Sequence, residues 1–426
     1  MKIDKEQLVK VIDFWQKSVS GGDLKPRAVL ENENFIGKEI VDFVGPRRSG
    51  KSSILKLIIK RLRLKENSYL YLNFEDPFFV STNDPQIIDE AIAVFKEYYG
   101  AQLKYLFFDE IQAIDKWEKA VRKLRDGSEY KIFITGSSSK LLSGEIATLL
   151  TGRHLTREIL PLSFKEFLIF RGVVLKDKKD LVLRGGELLK EFDEYLQIGG
   201  FPEVVLTGNR ELLKNYFFDI LQKDVMTRYE IRDKNALENM GVYLMSNTGK
   251  IISVESLKEA FNLSFSAVTA YLGYLKDAFL VFELSQFSFS LKKQSKAMKK
   301  IFAVDTGMVN NVSFKFSEDK GRMLENIVFL ELKKMGEKMY YYRTKNNYEV
   351  DFAVKKGTAI RQLIQVAWSL EDNVTKDREV KALCSALDEQ GLKEGLILTH
   401  HEEELLDVDG KQIIVKPVYR WVLDNK

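Results

Sequence analysis

One eight-residue run constrains this chain more than any other feature. Gly45-Pro46-Arg47-Arg48-Ser49-Gly50-Lys51-Ser52 follows the apolar stretch KEIVDFVG (38–45) and precedes SILKLIIKRL (53–62), which is apolar at helical period. A glycine-rich turn between a buried strand and a helix start aims backbone N–H groups at an anion, and the helix end adds partial positive charge. The spacing G-x-x-x-x-G-K-S adds an ammonium from Lys51 and a hydroxyl from Ser52 that can hold Mg²⁺. Gly45, Pro46, Arg48, Ser49, Gly50, Lys51, Ser52 and Ser53 are therefore the candidate phosphate-binding set, with ATP and Mg²⁺ as the expected ligands.

Such a loop needs an acidic partner on a second buried strand. Tyr105-Leu106-Phe107-Phe108-Asp109-Glu110 supplies it. Asp109 is the candidate second Mg²⁺ holder, and Glu110 the candidate general base for an attacking water. The next strand ends in Ile134-Thr135-Gly136-Ser137-Ser138-Ser139. Ser137, or Ser138 after it, can sense the terminal phosphate; the alternative role for these serines is a helix N-cap. Arg153, in Thr151-Gly152-Arg153, can stabilise charge on a transferring phosphoryl group from a neighbouring subunit, or it is a surface or structural arginine.

The strands SYLYLNF (68–74), KYLFFDE (104–110) and YKIFITGS (130–137) alternate with helical stretches at 85–99 and 115–126. That alternation predicts an α/β fold with a parallel sheet and ligands at the carboxyl ends of its strands. Past residue 160 three helical segments surround GGFPE (199–203); helix, helix, helix, strand follows over 236–283, and strands return after 299. No internal repeat is present. The expected divisions are 1–160, 161–234, 235–298 and 299–426.

The chain has 426 residues, 45% of them hydrophobic, with a net charge of +4, one cysteine (Cys384) and three histidines. A lone cysteine builds no disulfide within a chain and suits a reducing compartment. The first residues, MKIDKEQLVKVIDFW, interrupt their apolar positions with charges and do not read as a signal peptide. No uncharged apolar run reaches membrane-spanning length. A cytoplasmic protein is expected.

GPRRSGKSSILK, YLNFEDP, YLFFDEIQ, GSSSKLL, LTGRHLTREILPLSFKEFL and GGFPE occur in this order. Together they resemble prokaryotic, mostly archaeal, AAA+ ATPases that carry a winged-helix segment and a C-terminal PD-(D/E)XK-like nuclease-fold domain. The resemblance covers nearly the whole chain. It implies a P-loop AAA+ sheet with a helical lid, Asp109 and Glu110 as the Walker B pair, a sensor role for Ser137, an arginine-finger role for Arg153, and self-association through the ATP sites.

Residues 236–281 read as three helices, followed by FELSQFSFS and the basic LKKQSKAMKK (291–300). In a helix-turn-helix the last helix enters the major groove. Ser264, Ser266, Thr269 and Tyr274 are its candidate DNA-facing residues, and Lys292, Lys293, Lys296, Lys299 and Lys300 the candidate phosphate contacts. That last helix itself carries only Lys276, so a packing role for this segment stands as the alternative. Further on, Glu325, Asp351 and Gln365 fall in nuclease-like order, as a degenerate second metal site. An acid is replaced by Gln365, and the water-activating lysine by Ala367, unless Lys355 or Lys376 substitutes. Three functions are thereby framed: an ATPase coupled to double-stranded or branched DNA, a nucleotide switch that scaffolds protein partners, and an ATP-regulated nuclease.

Overall fold

The computed structural model describes residues 4–31, 33, 35, 37–138, 154–313 and 319–424. They form two compact units, Met1–Leu160 and Pro161–Lys426.

The first unit is built on five parallel strands: β1 (Ile40–Val44), β2 (Tyr69–Asn73), β3 (Tyr105–Asp109), β4 (Lys131–Gly136) and β5 (His154–Glu158). Their order across the sheet is β2-β3-β4-β1-β5. β1 is buried along its whole length and β3 and β4 nearly so. A parallel sheet covered on both faces selects such continuous apolar runs. Helix Lys51–Arg61 packs its Ile54, Leu55 and Ile58 against Phe43, Phe107 and Phe133. β5 was not predicted. His154-Leu155-Thr156-Arg157-Glu158 is only partly buried and carries one aliphatic residue, so it lacks the pattern of the inner strands. It is held instead by pairing with β1 and by a partly buried polar contact. Thr156 donates to Asp42 Oδ2 at 2.5 Å, and His154 Nδ1 lies 2.9 Å from Asp42 Oδ1.

The outer strand β2 is closed by a side chain. Helix Lys5–Ser18 buries Leu8, Ile12 and Gln16 along one stripe. The Gln16 amide donates to the Tyr69 carbonyl at 3.1 Å and accepts from the Tyr71 N–H at 2.8 Å, as a sixth strand would. An open strand edge invites pairing with another chain, and this amide occupies it. Gln16→Leu is expected to cost roughly 2–4 kcal/mol, because two buried peptide groups lose their partners. Urea unfolding measures this.

The second unit contains two sheets. One is three-stranded, β6 (Ile251–Ile252), β7 (Val281–Ser285) and β8 (Lys299–Ala303), in the order β6-β8-β7. It adjoins helices Lys234–Ser246, Val254–Phe261 and Phe265–Asp277 in sequence. Its middle strand begins at residue 299, so a division at 298 cuts the sheet. The other has six strands: β9 (Lys338–Arg343), β10 (Glu349–Lys356), β11 (Ala359–Val366), β12 (Glu394–Thr399), β13 (Glu404–Val408) and β14 (Lys411–Pro417). Helix Asn373–Gln390 packs on it through Leu383, Ala386 and Leu387. The fold is mixed α/β with a separate β-rich C-terminal region, as expected from the sequence.

GGFPE gains a physical reason here. Gly200 N donates to Asp305 Oδ2 at 2.6 Å, and Met308 N to Asp305 Oδ1 at 2.9 Å. A Cβ on Gly199, which has φ +71°, would sit 2.0 Å from Asp305 Oδ1, and one on Gly200 would sit 2.4 Å from the Leu162 carbonyl oxygen. Burial raises the Asp305 carboxyl from 3.8 to about 6 despite those N–H bonds. The folded chain therefore keeps a proton here over a window in which the unfolded chain releases it. This contribution is full below 3.8 and is lost as pH rises through about 6. Relative to Asp305→Asn, the wild type is expected to lose up to roughly 3 kcal/mol between pH 4 and 7. Paired denaturation curves across that range test the sign.

Candidate functional site

The phosphate-loop residues surround the ends of β1 and β3. Gly45 has to be glycine: a Cβ there would lie 2.1 Å from the Ile159 carbonyl oxygen. Gly50 turns the chain at φ 98° directly into helix Lys51–Arg61, whose first N–H groups have no partner within the helix. Arg48 also takes a left-handed conformation, φ 66°, and is exposed. Pro46 and Ser49 are buried, and Ser53 lies in the first helical turn, half-buried. The Ser49 hydroxyl is buried with no hydrogen-bond partner among the described residues.

A residue far upstream braces the loop. Arg27, 6% exposed, donates to the Ser49 carbonyl at 2.8 Å and to the Leu160 carbonyl at 2.9 Å. Nothing near Arg27 in the sequence signals that role.

The two acids occupy different environments. Asp109 is fully buried; Thr135 Oγ1 donates to its Oδ1 at 2.5 Å and Tyr71 OH to its Oδ2 at 2.9 Å. The Ser52 side chain acts with them to favour the charged form. Burial, and then the charge of Glu110, nevertheless pushes this carboxyl up. Glu110 is also buried. There the Lys51 ammonium, the Gln112 amide and Arg47 outweigh burial and hold the carboxyl below its usual range. Lys51 Nζ lies 3.3 Å from Glu110 Oε1 and donates to the carbonyls of Gly45 and Pro46, both at 3.1 Å. One acid thus stays an acceptor for a water proton. The other sits where a cation would offset its desolvation.

Glu110 adopts φ 50°, in the left-handed region. Backbone strain of this kind gathers at functional sites and persists only when neighbours hold it. Thr135 Oγ1 accepts from the Glu110 N–H at 2.8 Å, and Gln112 Nε2 donates to Glu110 Oε2 at 2.6 Å. The same Gln112 nitrogen lies 3.4 Å from Ser137 Oγ. Ser137 and Ser138 are buried. Lys51, Ser52, Asp109, Glu110 and Ser137 are therefore brought together. Tyr71, Gln112 and Thr135 were missed; a lone threonine in the apolar run KIFITG was the available signal for Thr135. Thr151, Gly152 and Arg153 lie outside the described residues.

In the second unit several expectations need correction. Ser264, Ser266 and Thr269 are exposed, and so are Lys292, Lys293 and Lys296. Tyr274 does not face outward; it stacks on Tyr229 with centroids 3.8 Å apart. Lys299 turns back to Ser285 Oγ (3.1 Å) and the Gln294 carbonyl (3.0 Å). Lys300, expected on phosphates, is 3% exposed and lies among Glu325, Glu349 and Asp351. Neither substitute lysine proposed from the sequence meets these acids in the contacts seen; Lys376 pairs with Glu404 at 2.7 Å. Gln365 accepts from the Asp351 N–H at 3.3 Å and donates to Glu379 at 2.5 Å. Burial, eased by Lys300, raises the Glu325 carboxyl to about 8. No group of three or more His, Cys, Asp or Glu side chains among the described residues is arranged to hold a metal ion. No described helix is long and apolar enough to cross a membrane.

A parallel sheet with this loop and acid pair defines a nucleotide-binding P-loop unit, and residues 37–168 match the family described as AAA domain. Residues 189–319 and 320–420 match two domains of unknown function, DUF8612 and DUF4143. The chain is 40% identical over 412 residues to uncharacterized protein MJ1544 of Methanocaldococcus jannaschii, covering 91% of this chain and 89% of that one. It is 30% identical over 417 residues to an uncharacterized protein of Haemophilus influenzae, covering 93% and 99%. The chain belongs to one family with these two proteins. Among solved structures, the Aeropyrum pernix Orc1 protein in complex with DNA is similar at a TM-score of 0.30 and 11% identity, over 73% of this chain and 92% of that one. Cdc6p from Pyrobaculum aerophilum is similar at 0.26 and 11%, over 77% and 95%.

Proposed function

We propose that this chain hydrolyses ATP with Mg²⁺ and couples nucleotide state to binding or remodelling of DNA. The observation that carries the ATPase reading is the Glu110–Lys51 ion pair beside the buried Asp109, whose charged form the Ser52 side chain favours. Two candidate Mg²⁺ holders and a candidate base beside its lysine meet in one buried site, although they come from two separate segments of chain.

Each residue then has a task. The N–H groups after Gly45 and at Gly50 cradle phosphate oxygens, and Lys51 turns from its loop carbonyls toward the β- and γ-phosphates. Ser52 and Asp109 hold Mg²⁺, which when bound offsets charge on the phosphate oxygens. Glu110 accepts the proton of the attacking water, with Gln112 and the Thr135 hydroxyl fixing its direction. Ser137 reads the terminal phosphate through the same Gln112. Arg153 from a neighbouring copy completes the site, which makes self-association part of the mechanism.

For residues 161–426 the reading is a helical region over 161–234, a winged-helix segment from 235 that takes in β8, and a nuclease-like fold after it. Three helices beside the β6-β8-β7 sheet support the second of these. The exposed Lys292, Lys293 and Lys296 support DNA-backbone contact. The test is ATP hydrolysis with and without double-stranded and branched DNA, across a salt series. Stimulation that fades as salt rises, and is lost when those three lysines become glutamate, is the expected result. Hydrolysis indifferent to DNA would overturn the coupling and favour a nucleotide switch that scaffolds protein partners.

A further inference from the structure

The second unit holds a buried ion cluster that the nucleotide chemistry does not use. Lys300 Nζ lies 2.6 Å from Glu325 Oε1, 2.8 Å from Asp351 Oδ1 and 3.0 Å from Glu349 Oε1. Lys300, Glu325 and Asp351 are 3%, 7% and 8% exposed. Glu349 carries a second cation, Arg343, at 3.4 Å. The remaining Asp351 oxygen accepts from Val366 N at 2.9 Å.

In a metal-dependent nuclease of this residue order the central cation is Mg²⁺, and a lysine stands beside it. Mg²⁺ demands oxygens at about 2.0–2.1 Å in octahedral array and retains several waters. Here the donors do not fit. The ammonium already fills the point on which the carboxylates converge. Gln365, in the third ligand position, spends its carbonyl oxygen on the Asp351 N–H and its NH₂ on Glu379. A divalent ion would have to expel Lys300 into surroundings that offer it no comparable partners, and a buried charge without a partner is costly.

We infer that Lys300 is the resident cation of this carboxylate cluster, in the place a divalent ion would take, and that the cluster is a fastening rather than a cleavage centre. It ties β8 to helix Lys320–Lys334 and to β10. Removing the lysine uncovers a latent divalent-cation site.

Mn²⁺ binding to the nucleotide-free full chain, counted by electron paramagnetic resonance, tests this. Wild type and Asp351→Asn are expected to hold the same number of ions. Lys300→Met is expected to melt at a lower temperature, to gain one further Mn²⁺ per chain, to recover stability with it, and to lose that ion when Asp351→Asn is added. The inference rests on the nuclease-like reading of Glu325 and Asp351, and the two fail differently. An Asp351-dependent Mn²⁺ in the wild type, or Mg²⁺-dependent cleavage of branched DNA lost in Asp351→Asn, overturns the role of Lys300 and keeps the nuclease. A folded Lys300→Met protein that takes up no ion overturns both. Should Lys300→Met fail to fold, the comparison of wild type with Asp351→Asn still decides the matter.

Discussion

Glu110→Gln is expected to leave ATP binding intact and to slow turnover by about 10²–10⁴-fold, the usual worth of a positioned general base. The substitution keeps the side chain's size and one oxygen but removes the acceptor for the water's proton. It also removes the charge that pairs with Lys51 at 3.3 Å. A freed lysine has only the Gly45 and Pro46 carbonyls to leave when phosphates arrive, so nucleotide affinity should hold or rise. Equilibrium binding of a fluorescent ATP analogue and single-turnover hydrolysis separate the two effects. Equal turnover in the variant and the wild type would remove Glu110 from the mechanism.

Thr135→Val should damage stability and rate together. The two side chains have nearly the same shape, so the change deletes a hydroxyl without opening a cavity. That hydroxyl donates to Asp109 at 2.5 Å and accepts from the Glu110 N–H at 2.8 Å, in a site with no exposure at Thr135. The buried Glu110 N–H loses its partner and Asp109 Oδ1 loses its donor, while Tyr71 still donates to Oδ2, a loss of roughly 2–4 kcal/mol. The Glu110 backbone, at φ 50°, loses the contact that holds it in that conformation. Turnover is expected to fall by an order of magnitude or more, with Thr135→Ser restoring most of both losses. Denaturant melts and kcat measured on the same three proteins make the comparison. A stable Thr135→Val protein with ordinary kcat would show that the hydroxyl positions nothing.

The inner strands were legible because burial on both faces of a parallel sheet writes itself as an unbroken apolar run. β5 was not, since pairing with β1 and the Asp42 contact replace apolar content there. The phosphate loop was legible because its chemistry needs residues at fixed spacing. Its supports were not: Arg27 reaches the loop across 22 positions and Thr135 reaches Asp109 across 26, distances at which no spacing rule operates. Gln16 did leave a trace, as the polar member of the Leu8, Ile12, Gln16 stripe. Lys300 was misread for a related reason. Its neighbours in AMKK suggest a wet basic surface, and the acids that claim it lie 25, 49 and 51 residues downstream.

The fastening around Lys300 also bears on how this chain can be divided. The lysine falls in the segment matched over 189–319 and its three carboxylate partners, Glu325, Glu349 and Asp351, in the segment matched over 320–420. Two regions that look like separate cassettes on a linear map therefore share one set of countercharges. A chimera that joined either half to that of a distant relative would bring together an ammonium without acids, or acids without an ammonium. The halves should be inherited, and lost, as a pair.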